Sequence, residues 1–368
     1  MFLTRQWTAP LLALSLLVSG CMEKEPIRIG YIGELTGNTN DTAEAARNGT
    51  LLAVEALNQK GGINGQRVEL IARDTGDTEN NARLAANEVL QSKVIAVIGP
   101  TTTRMVNAVL PAFDAAQVPL ITPTASAVEL TGRDDYLLRI NQSLRGKAQI
   151  YADDCLKRGL RRISSAINQN NLGYTGSWFR EFKLAFEGGG GKIVASPGFD
   201  SNSSSLAEEI KVMLDARPDA LLLIANASDT ARLAQQARKS SPNIPLIGIE
   251  WAATEQLIEL GGKAVEKMTI LEQYDTGSKS TRYEAFRQNY SVRFGRDPAF
   301  ASILAHDAAT ALFETLARRE PGKSLKESML ELGPFQGLQE DVLFDAYGDA
   351  QRKVYRAIIQ DGRFVRTP

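Results

Sequence analysis

The sequence predicts an α/β fold of two doubly wound parallel-sheet lobes joined by hinge crossings, and three observations predict it. From Ile27 onward, short β-rich runs alternate with amphipathic helices, the pattern of a parallel sheet covered on both faces. The alternation runs to Thr122 and restarts at Arg162, so two sheets are expected rather than one. The 368 residues, 43% hydrophobic and 23% charged, suffice for two separate cores.

Ile27 to Ile32 reads as the first strand. Asp41 with Glu44 then forms a capping-box signal for a helix whose Ala45, Gly49, Leu52 and Ala56 share one face and which ends at Gly61-Gly62. Further strands are expected at Arg67 to Ala72, Val94 to Ile98 and Pro119 to Thr122, with helices near Asn80 to Gln91 and Thr103 to Ala116. In the second lobe, a strand at Arg162 to Asn168 precedes a helix at Tyr174 to Phe186, a strand at Lys192 to Pro197 and a helix at Ser205 to Leu214 with a Ser205/Glu208 capping box. A strand at Ala220 to Ala225, a helix at Asp229 to Lys239 and a strand at Leu246 to Ile249 follow, before a helix-rich stretch that begins near Ser280. No flexible linker separates the halves, since Gly188 to Gly191 joins a helix to a strand inside the second lobe; shared chain crossings are therefore expected.

The N-terminus differs from the rest. Arg5 precedes an apolar run, Leu11 to Val18, that is too short to span a bilayer and reads as a signal peptide over residues 1–20. Its end, Leu17-Val18-Ser19-Gly20-Cys21, resembles the bacterial lipobox, which implies that Cys21 is lipidated and becomes the mature N-terminus. Residues 21–25 then act as a short tether. Cys155 alone remains, so no intramolecular disulfide is available, and its helical neighbours Ile150, Tyr151 and Leu156 make it a buried small hydrophobe. A net charge of -1 gives no electrostatic reason to expect nucleic acid as partner.

Enzymatic chemistry is not expected. The single histidine, His306, argues against a histidine-based metal site and has no cysteine nucleophile to serve. Gly188 to Lys192 resembles a phosphate loop only until Ile193, which stands where Ser or Thr is needed. Gly30, Gly33 and Gly37 have the wrong spacing for dinucleotide binding, so no cofactor is expected. A carboxylate pair working as acid and base in a cleft is the arrangement that composition leaves open.

Binding chemistry gathers just after the strands, where open α/β sheets hold their ligands. Gly99-Pro100-Thr101-Thr102-Thr103 leads into a helix with Val106, Val109, Leu110 and Phe113 on one face. Such a hydroxyl-rich loop at a helix N-terminus suits a carboxylate, with plain threonine capping as the alternative. Thr122-Pro123-Thr124-Ala125-Ser126-Ala127 forms a second hydroxyl cluster at the same edge, which favours an anion site around Thr102, Thr103, Thr124 and Ser126. Tyr174, after Asn170-Asn171-Leu172-Gly173, can either close over a ligand or pack at its helix start. Glu250 ends an apolar strand, where it can receive an ammonium or pair with a nearby Lys or Arg. Arg104 is an exposed helix residue or an anion partner.

These residues resemble the leucine/isoleucine/valine-binding protein family, the type I periplasmic binding proteins of ABC transporters, over essentially the whole mature chain. The resemblance rests on Ile29-Gly30 to Gly37 with Asn48-Gly49, on Asn58-Gln59-Lys60-Gly61-Gly62-Ile63-Asn64-Gly65, on Val97-Ile98-Gly99-Pro100, on Thr122-Pro123-Thr124-Ala125-Ser126 and on Tyr174-Thr175-Gly176. It implies that Thr103, Thr124 and Ser126 hold a ligand α-carboxylate, that Glu250 receives the α-ammonium and that Tyr174 closes the cleft. Asn226 falls near a family tyrosine and Thr42 near a family aromatic; these departures imply a larger or more polar side-chain pocket, shaped by Trp251 or Trp178. Ala305-His306-Asp307-Ala308 resembles the family's Tyr-Asp-Ala segment, with His306 in a structural place. Three hinge crossings are implied, with lobe one at 26–142 plus 273–333 and lobe two at 143–272 plus 334–368.

The resemblance further implies an extracytoplasmic monomer, held at a membrane surface by lipid on Cys21, that captures an amino-acid-like solute by hinge closure and presents it to a membrane permease. A solute sensor of the same fold, signalling to a receptor without transport, is the alternative. Replacing Glu250 with Gln is expected to weaken an amino-acid ligand by more than about tenfold and to leave thermal stability nearly unchanged.

Overall fold

Strand β1 (Ile27–Gly33) is the centre from which the first sheet grows, buried from Ile29 to its end. The computed structural model describes residues 24–36 and 40–367; Cys21, the segment before it and Gly37 lie outside the described residues. After β1 come α1 (Asn40–Gln59), β2 (Val68–Asp74), α2 (Glu79–Gln91), β3 (Val97–Ile98), α3 (Thr103–Ala116), β4 (Leu120–Thr122) and β5 (Leu137–Arg139). The five strands are all parallel in the order β2-β1-β3-β4-β5. The order reverses at β1, where the chain runs outward to β2 and returns to β3 on the other side, which opens a crevice beyond the carboxyl ends of β1 and β3. Helix α1 begins at Asn40, so Asp41 sits in its first turn and not at the cap the sequence suggests.

The second lobe comprises α4 (Leu144–Lys157), β6 (Arg162–Asn168), α5 (Leu172–Gly188), β7 (Lys192–Ala195), β8 (Gly198–Phe199), α6 (Ala207–Asp215), β9 (Ala220–Ile224), α7 (Ala227–Ser240), β10 (Leu246–Gly248), α8 (Glu255–Gly261) and β11 (Thr269–Glu272). Its sheet follows the order β13-β12-β11-β10-β9-β6-β7, with β8 beside β6; β12 (Tyr355–Gln360) and β13 (Arg363–Arg366) join it antiparallel. The run Ala220–Ile224 is buried throughout, as a strand covered on both faces must be. Two local expectations are corrected. The strand expected over Lys192 to Pro197 breaks at Ser196-Pro197 into β7 and β8, because proline has no N–H for the ladder. The Ser205/Glu208 capping box does not form, because Leu206 turns into the core and takes the cap position, so α6 starts at Ala207.

Between β11 and β12 lie α9 (Thr281–Phe294), α10 (Phe300–Arg318) and α11 (Leu325–Glu331), which pack in the first lobe. Helix α10 lies so close to α1 that a Cβ added to Gly49 would come 2.0 Å from the Ser302 carbonyl oxygen. The expected return at residue 333/334 is too early. Phe335, Leu338, Val342, Phe344 and Ala350 belong to the first lobe's core, and Ala350 N–H donates to the Arg139 carbonyl at the edge of β5. The buried Arg139–Asp349 pair (2.6 Å) fixes this segment, so the chain crosses between Ala350 and Tyr355.

Cys155 is buried, and burial pushes its thiol up to about 12. His306 packs edge-on against Phe286, and burial lowers its imidazole to about 4. Among the described residues no helix is long and apolar enough to cross a membrane.

Candidate functional site

The loop after β3 is pressed onto the first strand. Gly99 has φ +96°, and a Cβ there would lie 1.9 Å from the Ile32 carbonyl oxygen, so only glycine lets the chain turn so tightly beneath β1. The threonines that follow differ in duty. Thr101 donates to Glu34 (2.9 Å); Thr102 donates to the same carboxylate and also accepts from Met105 N–H as the cap of α3. Thr122 donates to the Pro100 carbonyl (2.7 Å) and Thr124 to the Thr101 carbonyl (2.6 Å). Thr101 and Thr102 thus tie the loop after β3 to the end of β1, and Thr122 and Thr124 tie the loop after β4 to the loop after β3. Thr103 Oγ1 and Ser126 Oγ are buried with no partner. An orphaned buried hydroxyl costs about 1–3 kcal/mol, a cost that an incoming acceptor at the helix N-terminus removes.

The opposite wall comes from the second lobe. Glu250 follows β10 and is 2% exposed. Its Oε1 lies 3.2 Å from Lys147 Nζ, and its Oε2 accepts from Trp178 Nε1 at 3.2 Å. Burial, followed by the negative charge of Glu250, holds the Tyr174 phenol well above the ordinary range. Lys147, itself 1% exposed, donates further to Asn141 Oδ1 at 2.8 Å. Burial lowers its ammonium below the usual lysine range, while Glu250 opposes the shift. Of the two partners open to Glu250 from the sequence, the structure supplies a lysine. Sequence reasoning missed Lys147, although a signal existed: it stands three residues after Leu144 and four before Tyr151, on the buried stripe of α4.

Thr102, Thr103, Thr124, Tyr174 and Glu250 meet around one cavity, with Thr42, Trp251, Gln273 and Phe300 completing much of its wall. Tyr174 and Trp251 meet edge to face, ring centres 5.5 Å apart. Trp178 is not in this wall; it supports Glu250 from behind and stacks on Phe182. Ser126 is fully buried and does not reach the wall. Asn226 does not join the group either. Its Oδ1 accepts from Asp229 N–H (2.8 Å) as the cap of α7, which holds the side chain in an adjoining polar crevice. Thr102, Asn171 and Trp251 belong to both walls. Arg104 lines the crevice too and donates to the Asp77 carbonyl.

The lobes touch on both sides of this cavity. Thr254 Oγ1 donates to Asp41 (3.1 Å), Val128 N–H to Ser177 Oγ (3.1 Å) and Arg104 N–H to Asn171 Oδ1 (3.4 Å), while Arg180 pairs with Glu129. A cavity between two lobes, with a spare hydroxyl on one wall and a buried ion pair behind the other, is a place to hold a small polar solute.

Comparison with known proteins bears on the family and the fold. The model of the periplasmic binding protein family matches residues 26–363. A leucine-, isoleucine-, valine-, threonine- and alanine-binding protein of Pseudomonas aeruginosa is 22% identical over 345 residues, 92% of this chain and 91% of that protein. The branched-chain amino acid transporter substrate-binding protein of Streptococcus pneumoniae, solved with isoleucine, superposes with a TM-score of 0.85 at 22% identity, covering 93% of this chain and 100% of that one. A solute-binding protein of an R. palustris ABC transporter, solved with benzoate, gives 0.83 at 17% identity over 93% and 95% of the two chains. At these identities the likeness to the solved structures is one of fold.

Proposed function

Because the chain belongs to the periplasmic binding protein family, a family of binding proteins and not of enzymes, we infer that it is the extracytoplasmic solute-binding component of an ABC importer. It captures a small carboxylate-bearing solute of amino-acid size between its lobes. The observation that carries the solute class is Thr103: a buried hydroxyl without a partner, on the cavity wall, at the start of a helix fourteen residues long. A carboxylate there gains charge-assisted hydrogen bonds, each contributing about 1.5–3 kcal/mol. A few of these, less the cost of ordering, reach the micromolar range, about -8 kcal/mol. The relatives named above bind amino acids or an aromatic acid, both carboxylates.

Transport follows from closure, the hinge motion known for periplasmic binding proteins as a class. A ligand that touches Thr103 on one lobe and Tyr174 on the other stabilises the closed form over the open one, and the permease reads the closed form. Lipid on Cys21 would keep the protein near that permease. A thermal-shift screen of amino acids, aromatic acids, amides and sugars tests the solute class, since a tight ligand raises the melting temperature by mass action. Stabilisation by carboxylates is expected; stabilisation by sugars alone would overturn it. For the anchor, the Cys21→Ser form is expected in the soluble fraction of the native host, and persistent membrane association would refute lipidation.

A further inference from the structure

The carboxylate at the end of β10 is already occupied. Glu250 takes an ammonium from Lys147 on one oxygen and an indole N–H from Trp178 on the other, and it is buried. Both carboxylate oxygens are therefore engaged from within the protein. A ligand ammonium placed on the same carboxylate would sit close to Lys147 Nζ, and like charges at that range in a buried site repel strongly. Lys147 cannot step aside without cost, because Asn141 Oδ1 and Glu250 Oε1 together hold its Nζ and no water reaches it.

We propose that Lys147 takes, from within the protein, the place of a ligand ammonium, so that the site selects small carboxylates that lack an α-ammonium. This rests on the carboxylate reading above and narrows it. The rest of the cavity agrees. Thr103 offers a hydroxyl to an anion, and Tyr174, Trp251 and Phe300 give the ligand an aromatic surround. With Lys147 and Glu250 neutralising each other, the solute's single negative charge faces the helix N-terminus.

Calorimetric titration of the purified protein with matched pairs separates the possibilities: leucine against 4-methylpentanoate, and phenylalanine against 3-phenylpropanoate. The acid without the amino group is expected to bind at least about tenfold tighter in one pair or both. Equal or tighter binding of the amino acids in both pairs would overturn the proposal while keeping the carboxylate reading. No binding by any of the four would remove the reading and the proposal together. In Lys147→Met, Glu250 is freed and the preference should reverse toward the amino acid; an unchanged preference counts against Lys147. Should that variant fail to fold, Lys147→Met combined with Glu250→Gln removes both charges, and it should keep the preference for the acid without the amino group; a switch to the amino acid contradicts the proposal.

Discussion

Thr103 presents a hydroxyl that the protein itself does not use, and this separates its role from that of the threonines around it. Thr103→Val keeps the shape and removes the donor. Ligand affinity should fall about tenfold, while the unliganded protein melts no lower, because the orphaned hydroxyl costs stability until a ligand arrives. Calorimetry and a melting curve on the same variant check both halves. Glu250 behaves differently. From sequence, Glu250→Gln should leave stability alone, but Lys147 beneath it changes that expectation. Breaking a buried pair strands the remaining charge and costs about 3 kcal/mol, which chemical denaturation would reveal as a loss that the added Lys147→Met change recovers. Glu272, at the end of β11, is buried with neither oxygen partnered, and burial pushes its carboxyl from 4.5 up to about 8. Between those pH values the folded protein holds a proton that the unfolded chain has released, so this group's stabilising effect is full below 4.5 and is lost as pH rises through 8. Glu272→Gln should therefore match the wild type in acid and melt increasingly above it toward pH 8; parallel curves would contradict the assignment.

At the scale of elements, the contact of α1 with α10 depends on one absent side chain. A methyl at Gly49 meets the backbone of Ser302, which cannot swing away, so Gly49→Ala should destabilise the first lobe by about 1–3 kcal/mol, measurable by urea unfolding. The Asn48-Gly49 pair is visible in the sequence, yet its reason is not, since helix partners 253 residues apart in the chain carry no local signal. Elements of the first lobe are legible because hydrophobic period and cap residues agree: α3 runs from Thr103 to Ala116 as its pattern implies, with Val106, Val109, Leu110 and Phe113 all buried. Errors fall where a single residue overrides the pattern, at Pro197 in the β7–β8 break and at Leu206 before α6. The third crossing is misplaced for another reason: the 335–350 segment joins the first lobe through Arg139–Asp349, a pair no periodicity announces.

For the molecule as a whole, the two-lobe architecture is readable from the restart of the α/β pattern, and so is the strand edge that holds the site. Less readable is which hydroxyls are spent. Thr101, Thr102 and Thr124 look equivalent to Thr103 in sequence, and only the packing of Glu34 and the two loops against one another reveals that three are structural and one is free. Asn226 likewise reads as a site residue and serves as a cap beside a second crevice. Asp41–Thr254 and Val128–Ser177 tie the two lobes together beside the cavity, so a ligand held there would lie between them. The most direct measurement is a crystal structure with the tightest carboxylate that the titrations find. The account predicts its carboxylate oxygens within hydrogen-bond reach of Thr103 Oγ1 at the start of α3, with Tyr174 closed over it. A carboxylate seated instead in the crevice beside Asn226, or with its charge turned toward Glu250, would contradict it.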